Sequence, residues 1–103
     1  MIVKVPFSEA DRNKKRPAVV LSSHEHNRSR LDLVVANISS GSKAYGFWEL
    51  DIDRWSEAGL ERPSKVVCDH LSSVPRATAM LVGRLGILAL TRIRRRVASL
   101  LGL

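Results

Sequence analysis

The apolar residues of this chain fall into short runs separated by polar, turn-forming segments, and this pattern favours a small β-rich fold. Runs of this kind are predicted as strands at residues 1–7, 17–22, 31–38, 46–52, 63–71 and 79–85. The C-terminal segment, residues 87–101, differs, because its apolar residues recur every three or four positions, as in an amphipathic helix. The residues of that stripe are Leu90, Ile93, Val97, Leu100 and Leu101. We expect the helix to dock on the sheet, whose apolar face needs a cover, although a basic amphipathic helix could also bind a membrane surface.

The segments between the strands are rich in turn-forming residues. Polar loops and turns are predicted at residues 8–16, 23–30 and 39–42. Asp53 can cap a helix of one to two turns that ends at Gly59. Ser73 and Pro75 predict a second short helical piece, and Gly83 predicts a bulge or a close backbone approach.

The length of 103 residues allows one domain, residues 1–103, with a real but modest core. Its apolar runs are far shorter than a membrane span, so we expect a soluble cytoplasmic protein with no membrane partner. A single cysteine, Cys68, excludes an internal disulfide and a cysteine-built metal site. Val66 and Val67 beside it favour a buried, inert thiol over a nucleophile.

The charge is strongly positive and unevenly distributed. The chain has 17 Lys and Arg against 10 Asp and Glu, a net charge of +7. No acidic residue follows Asp69, whereas six arginines do, at positions 76, 84, 92, 94, 95 and 96. If these arginines share a face, they create a one-sided field that attracts a polyanion or an acidic protein partner. The charge alone does not choose between the two.

The basic step Lys14-Lys15-Arg16-Pro17 leads directly into an apolar strand. Pro17 fixes its own φ angle and pushes the preceding residue toward extended geometry, so Arg16 is held at a defined position. A guanidinium held at the mouth of a strand suits phosphate recognition. The alternative is a solvated basic turn that binds nothing.

Several short sequence motifs follow one another along the chain. They are VPF, KKRPAVVLS, a polar loop containing NR, VVANISSGS, WELD, EAGLERPSKVVCDHL and a terminal LLGL. In this order and spacing the chain resembles, over essentially its whole length, the MazF/PemK family of growth-inhibiting toxins from bacterial type II toxin–antitoxin pairs. The resemblance implies a β-rich α+β fold. More specifically, it implies a small SH3-like β-barrel of the MazF/PemK/CcdB type with short helices and a C-terminal amphipathic helix.

The same resemblance implies an activity and partners. The activity is metal-independent and cofactor-free cleavage of single-stranded RNA, including mRNA, which arrests growth. The implied partners are a second copy of the chain, forming a homodimer, and a cognate antitoxin with an acidic, disordered tail. In such cleavage the ribose 2′-hydroxyl attacks the neighbouring phosphate, so one group must take its proton. Other groups must stabilise the leaving oxygen and the growing charge on the phosphate.

The resemblance assigns catalytic roles to Arg16, Ser39 and Asp69. Arg16 matches the arginine of the family's RP motif and would hold the scissile phosphate. Ser39 matches the threonine of the I-T-S element, and its hydroxyl could donate to a phosphate oxygen. Asp69 matches the aspartate proposed as general base in PemK-like members. The structural alternatives are a serine pair that simply ends a strand and an Arg16–Asp69 salt bridge.

Further residues are predicted to bind substrate, namely Lys14, Lys15, Arg28, Ser40 and His70. His70 replaces the glutamine of the family's CDQ stretch, and its imidazole could itself move protons. His24 and His26 are close together, but on a loop beside Glu25 they are predicted as solvated residues rather than metal ligands. No metal site is expected.

The chain departs from the family pattern in ways that leave alternatives open. Val67 stands where PemK-like members have a second catalytic arginine, and residues 8–15 lack the histidine of their loop. Met1 already lies in the first strand, without the usual preceding Gly-Asp pair, and Ser39 lacks a threonine methyl. One alternative is a catalytically degenerate module that only binds RNA or antitoxin. A gyrase-directed toxin like CcdB is another, although the KKRP and ISS elements argue against it.

Overall fold

The computed structural model describes residues 1–6, 14–41 and 43–103. Expectations that fall on residues 7–13 and 42 lie outside the described residues. They are the last residue of the first predicted strand, most of the 8–16 loop and one position of the 39–42 turn.

Six antiparallel strands and a C-terminal helix make up the described fold. The strands are β1 (Ile2–Pro6), β2 (Lys15–Val20), β3 (Asp32–Ser40), β4 (Glu49–Asp51), β5 (Ser64–Pro75) and β6 (Met80–Gly83). The helices are α1 (His24–Ser29) and α2 (Ile87–Leu100), with a 3₁₀ turn at Arg76–Thr78. The strand order is β4-β5-β3-β2-β1-β6, so β4 and β6 are the two edges of a sheet that does not close. The six predicted strands and the terminal helix are therefore confirmed.

Alternation along the strands gives the sheet two apolar faces, each with its own core. One set, which we call the helix face, includes Ile2, Val19, Ile38 and Val66 and packs against Ile93 and Val97 of α2. The other set, which we call the opposite face, consists of Val3, Val5, Ala18, Val20, Leu33, Val35 and Val74. The expected docking of the amphipathic helix on the sheet is thus confirmed.

Each of the three segments predicted as polar loops or turns contains regular structure in its described part. Residues 23–30 form the helix α1 rather than a loop, because Ser23 caps it by accepting a hydrogen bond from His26 N at 3.1 Å. β2 begins at Lys15 and β3 continues through Ser40, so Arg16, Ser39 and Ser40 belong to strands rather than to a loop or turn. Pairing with flanking strands extends both elements beyond their apolar runs.

Two predicted elements are shorter or less regular than expected. β4 covers only Glu49–Asp51, because residues 46–48 form a bend and a turn rather than an extended segment. Residues 53–59 make successive turns, with Ala58 N bonded to Arg54 O at 3.1 Å, but no helix. The segment still ends at Gly59, whose φ is +92°. The second short helical piece begins later than predicted, as the 3₁₀ turn at Arg76–Thr78, because Ser73 and Pro75 still belong to β5 and no side chain caps the turn.

Gly83 lies where the backbones of β6 and the 53–59 turns approach closely. A Cβ atom at this position would lie 1.9 Å from the carbonyl oxygen of Ala58. The register of β1 with β6 also shifts beside Gly83, between Ile2 and Val3. The expectation of a bulge or a close approach at this glycine is confirmed, and any side chain there must displace backbone.

We predict that Gly83→Ala lowers the free energy of unfolding by about 1–3 kcal/mol, because the new methyl group collides with the Ala58 carbonyl. Chemical denaturation monitored by circular dichroism measures this loss. Gly86→Ala is the matched control, since no atom lies within 4 Å of a Cβ added there. Equal stability of the two variants would contradict the close approach.

Candidate active site

Arg16 and Ser39 lie at matching positions on neighbouring strands. β2 pairs with β3 through Ala18–Asn37, Val19–Ala36 and Val20–Val35, and the pairing ends there. The same register continued by two residues sets Arg16 opposite Ser39. Arg16 lies two residues before Ala18, and Ser39 lies four residues after Val35. Residues an even number of positions apart on a strand project to the same side, so both side chains lie on the opposite face with Ala18 and Val35. Both side chains therefore project from the same face, beside the point where the two strands part.

The neighbouring predicted residues Lys15 and Ser40 lie on the helix face instead. Lys15 alternates with Val19, and its Nζ contacts Met80 Sδ at 3.1 Å. Ser40 alternates with the buried Ile38. Strand alternation thus separates Ser39, predicted as catalytic, from Ser40, predicted to bind substrate, and only Ser39 shares a face with Arg16.

Asp69 and His70 lie in an irregular part of β5. Ala36 pairs with Leu71 and the next residue, Asn37, pairs with Val67, so residues 68–70 have no partner on β3. This break lies two to three residues along β3 from Ser39, and both side chains are exposed. In the part of the chain that the structure describes, no ion pair joins Arg16 to Asp69, contrary to the structural alternative for this aspartate.

Arg28 is distant from Arg16 along the fold. It lies in α1, which follows the C-terminal end of β2, whereas Arg16 lies near the start of that strand. The four residues from Arg16 to Val20 alone span roughly 13 Å. Lys14, in contrast, directly precedes β2 on the Arg16 side and is exposed. The substrate-binding roles of these residues stay predictions.

The sequence-based prediction did not include three polar residues on the same face. Lys65 pairs with Ser39 in the ladder, and its Nζ lies 2.7 Å from Glu49 Oε1. Asn37 lies two residues before Ser39, and its buried Oδ1 has no hydrogen-bond partner in the described part of the chain. In the sequence, the spacing of two residues from Ser39 could have placed Asn37 on this face. Lys65 and Glu49 are placed there only by the pairing of the strands.

The ion pair changes the acid–base properties of Glu49. The Lys65 ammonium donates a hydrogen bond to the carboxylate, and Tyr45 N–H donates a second one at 3.0 Å. These contacts lower the pKa of Glu49 below its ordinary value of 4.5, because they stabilise the charged form. Lys65 is therefore compensated on this face, whereas Arg16 has no ion-pair partner among the described residues.

Two of the six C-terminal arginines are hydrogen-bonded to backbone carbonyl oxygens. Arg76 donates to the backbone oxygen of Asn27, and Arg96 donates to that of Phe47 at 2.6 Å. The other four are exposed. A cleft of about 800 Å³ at the start of α2 includes Arg84 and Arg92 in its lining but none of the predicted catalytic residues.

Cys68 is fully buried on the helix face. Burial raises the pKa of its thiol, which favours the neutral form. The predicted inert cysteine is confirmed in its burial. Among the described residues, no helix is both long and apolar enough to cross a bilayer.

Comparison with known protein families identifies the fold and the lineage. Residues 1–101 match the model of the PemK-like, MazF-like toxins of type II toxin–antitoxin systems. The chain belongs to this family. The resemblance carried by the RP, ISS and CDH elements is therefore confirmed. No curated protein matches the chain.

Solved structures of the family have the same fold. The Mycobacterium tuberculosis toxin MazF-mt6 superposes with a TM-score of 0.77 at 20% identity, covering 100% of this chain and 98% of that one. MazF in the MazE–MazF complex of Deinococcus radiodurans gives 0.79 at 24% identity, covering 99% and 91%. An endoribonuclease in complex with its cognate antitoxin from a mycobacterial species gives 0.80 at 14% identity, covering 99% and 91%. These likenesses confirm the predicted barrel-like α+β class.

We predict that Glu49→Gln lowers stability in a pH-dependent way. Because the folded-state pKa of Glu49 is depressed, its carboxylate stabilises the native state above the unfolded value of 4.5. That contribution is lost as the pH falls through the folded pKa. The difference in unfolding free energy between wild type and variant should be largest near neutrality and shrink below pH 4.5, as urea denaturation across pH measures.

The control for this prediction is Glu57→Gln. Glu57 pairs with Arg54 at 3.6 Å, but both side chains are largely exposed, at 71% and 83%. Exposed pairs contribute little to stability, so this variant should unfold almost like the wild type. A Glu49→Gln deficit that does not depend on pH would contradict the role given to the ion pair.

Proposed function

We propose that residues 1–103 form one toxin domain that acts in the cytoplasm as an endoribonuclease. It cleaves single-stranded RNA, including mRNA, without a metal ion or cofactor and thereby arrests growth. The observation that carries the proposal is that Arg16 and Ser39 lie on one face of the sheet, just beyond the end of the β2–β3 ladder. Membership of the MazF/PemK family supports it.

The proposed reaction uses the RNA's own nucleophile. The ribose 2′-oxygen forms a bond to phosphorus while the bond from phosphorus to the 5′-oxygen breaks, giving a cyclic phosphate and a 5′-hydroxyl. Arg16 holds non-bridging oxygens of the phosphate and neutralises the charge that develops there. Ser39 donates its hydroxyl hydrogen to a phosphate oxygen. Asp69, on the strand next to β3, is the proposed acceptor of the 2′-hydroxyl proton, and solvent water supplies the proton that the released 5′-oxygen takes up.

The proposed partners follow from the charge and from the family. A chain with a net charge of +7 is suited to bind RNA and an antitoxin that carries an acidic segment. Solved structures of relatives include complexes with antitoxin, one of them the MazE–MazF complex of Deinococcus radiodurans. We propose that this chain likewise binds a cognate acidic antitoxin and acts as a homodimer.

We predict that Arg16→Ala abolishes cleavage of single-stranded RNA, because the phosphate loses its fixed positive charge. A labelled RNA incubated with purified protein and resolved by electrophoresis measures the loss, and growth after induced expression gives a second readout. Arg95→Ala is the control, since it removes the same charge from an exposed position of α2. Thermal denaturation verifies that both variants fold.

The outcomes of this experiment separate the competing functions. Undiminished cleavage by Arg16→Ala would contradict the proposed site. Wild-type protein that binds RNA but leaves it intact would instead support the non-catalytic binding module. Inhibition of DNA supercoiling, without RNA cleavage, would support a gyrase-directed toxin.

We predict that Ser39→Ala lowers the cleavage rate roughly 100-fold, the usual cost of removing one hydrogen-bond donor to a transition-state oxyanion. Ser39→Thr should retain most activity because it keeps the hydroxyl on a strand position that suits threonine. Ser40→Ala is the matched control, since Ser40 alternates with the helix face. The same cleavage assay measures all three variants, and a larger loss in Ser40→Ala than in Ser39→Ala would contradict the assignment.

A further inference from the structure

Tyr45 is an aromatic residue that the proposed reaction leaves without a role. It is 85% exposed, in the loop between β3 and β4, and Phe47 in the same loop is 53% exposed. The two tryptophans, in contrast, are half-buried. Exposure of an aromatic ring to water is unfavourable in free energy, and burial against a ligand would recover that free energy. An exposed ring beside a candidate site is therefore a candidate for contact with a ligand.

The backbone that carries Tyr45 is fixed by side chains of β4 and β5. Ala44 N–H donates to Asp51 Oδ1 at 2.8 Å, and Tyr45 N–H donates to Glu49 Oε1 at 3.0 Å. Lys65 Nζ donates to the carbonyl oxygen of Lys43 at 3.4 Å while also pairing with Glu49. The backbone at Tyr45 is therefore held in place, whereas its exposed ring is free to contact a ligand.

These anchoring side chains belong to the same face as the candidate active site. Asp51 pairs with Lys65, which in turn pairs with Ser39, and directly paired residues project to the same side of a sheet. Ser39 shares that face with Arg16. The segment 43–45 thus lies over the face that carries the proposed phosphate ligands, at its β4 side.

The other end of the loop is attached to α2. Arg96 donates from Nη1 to the carbonyl oxygen of Phe47 at 2.6 Å, and its Cζ lies 3.9 Å from the centre of the Phe47 ring. Phe47 also packs edge-to-face on Trp48, with ring centres 4.8 Å apart. Cation–π and aromatic contacts of this kind fix the loop at its second end, so that Tyr45 stands between two anchors.

We propose that Tyr45 is a stacking platform for an unpaired base of the strand whose phosphate lies at Arg16 and Ser39. The inference rests on the proposed function, since it takes a single-stranded nucleic acid as the ligand. Unpaired bases offer a flat π-face to an exposed aromatic ring, and such stacking is tolerant of base identity. Because the backbone at Tyr45 is held before binding, only its side-chain torsions remain to be ordered when the base arrives.

The test is binding of a labelled single-stranded deoxyoligonucleotide, followed by fluorescence anisotropy. This probe has no 2′-hydroxyl and cannot be cleaved, so binding is measured apart from catalysis. Tyr45→Ala should raise the dissociation constant roughly 5- to 100-fold, the range that loss of one stacked base produces. Tyr45→Phe should bind like the wild type because it keeps the ring.

A second probe distinguishes stacking from other effects of the substitution. An abasic strand of the same length keeps every phosphate but has no bases, so Tyr45→Ala should bind it as well as the wild type does. Leu31→Ala is the control for losing an exposed apolar side chain, since Leu31 is 80% exposed and lies beyond the opposite end of β3 from Ser39. It should leave both dissociation constants unchanged.

Each remaining outcome counts against the proposal. Unchanged affinity of Tyr45→Ala for the base-containing strand would overturn it, as would an equal loss on the abasic strand. Failure of the wild type to bind either strand would overturn it as well. Failure of the nuclease proposal is recognised separately, because it shows as intact RNA in the cleavage assay while the two binding constants remain measurable.

Discussion

The pairing of β3 with both of its neighbours is the constraint on which the other features depend. β3 pairs with β5 along its whole length and with β2 at its centre. The register of these two pairings decides which residues of the three strands lie together on each face of the sheet. A slip of one residue would carry Ser39 to the helix face and bring Ser40 toward Arg16. The buried valines and isoleucines of the two cores oppose such a slip, because it would expose them to water. The apolar cores thereby fix the position of polar groups that they do not contact.

The irregularity in β5 lets that strand pair with β3 and at the same time expose Asp69 and His70. Residues 64–67 and 71–75 both stay paired with β3, so the long strand is held at its two ends. Residues 68–70 are released from the ladder between them, which exposes Asp69 and His70 while Cys68 is buried in the helix-face core. Bulges commonly re-aim side chains beside functional sites. An acidic residue is thus presented near the Arg16–Ser39 position without interrupting the sheet.

The spacing of apolar residues predicted the strands and the terminal helix. Each of these elements buries one face, so its apolar residues recur at a regular interval along the sequence. Elements without a buried face were not predictable in the same way. No residue of α1 is buried, and the helix forms through the cap at Ser23, which leaves no apolar period. Similarly, Arg16 and Ser39 were identified through their motifs, whereas Lys65 and Glu49 became part of the site only through pairing between strands distant in sequence. Contacts of this kind depend on which strands pair and in what register, and the apolar pattern along one sequence does not reveal either.

The proposed reaction lacks the second arginine of PemK-like members, and the charges on the site face indicate what remains to stabilise a phosphate. The position of that arginine holds Val67, which is buried and pairs with both Asn37 and Glu49. The next cation on this face, Lys65, is compensated by Glu49 and serves to anchor the backbone at Lys43. In the proposed reaction Arg16 supplies the fixed positive charge at the phosphate and Lys14 adds general attraction for the RNA strand, while neutral donors such as the Ser39 hydroxyl supply further stabilisation. Charge-assisted hydrogen bonds are the stronger ones, so a site with one arginine depends more heavily on its geometry than a site with two. The paired strands and the anchored 43–48 loop provide that geometry.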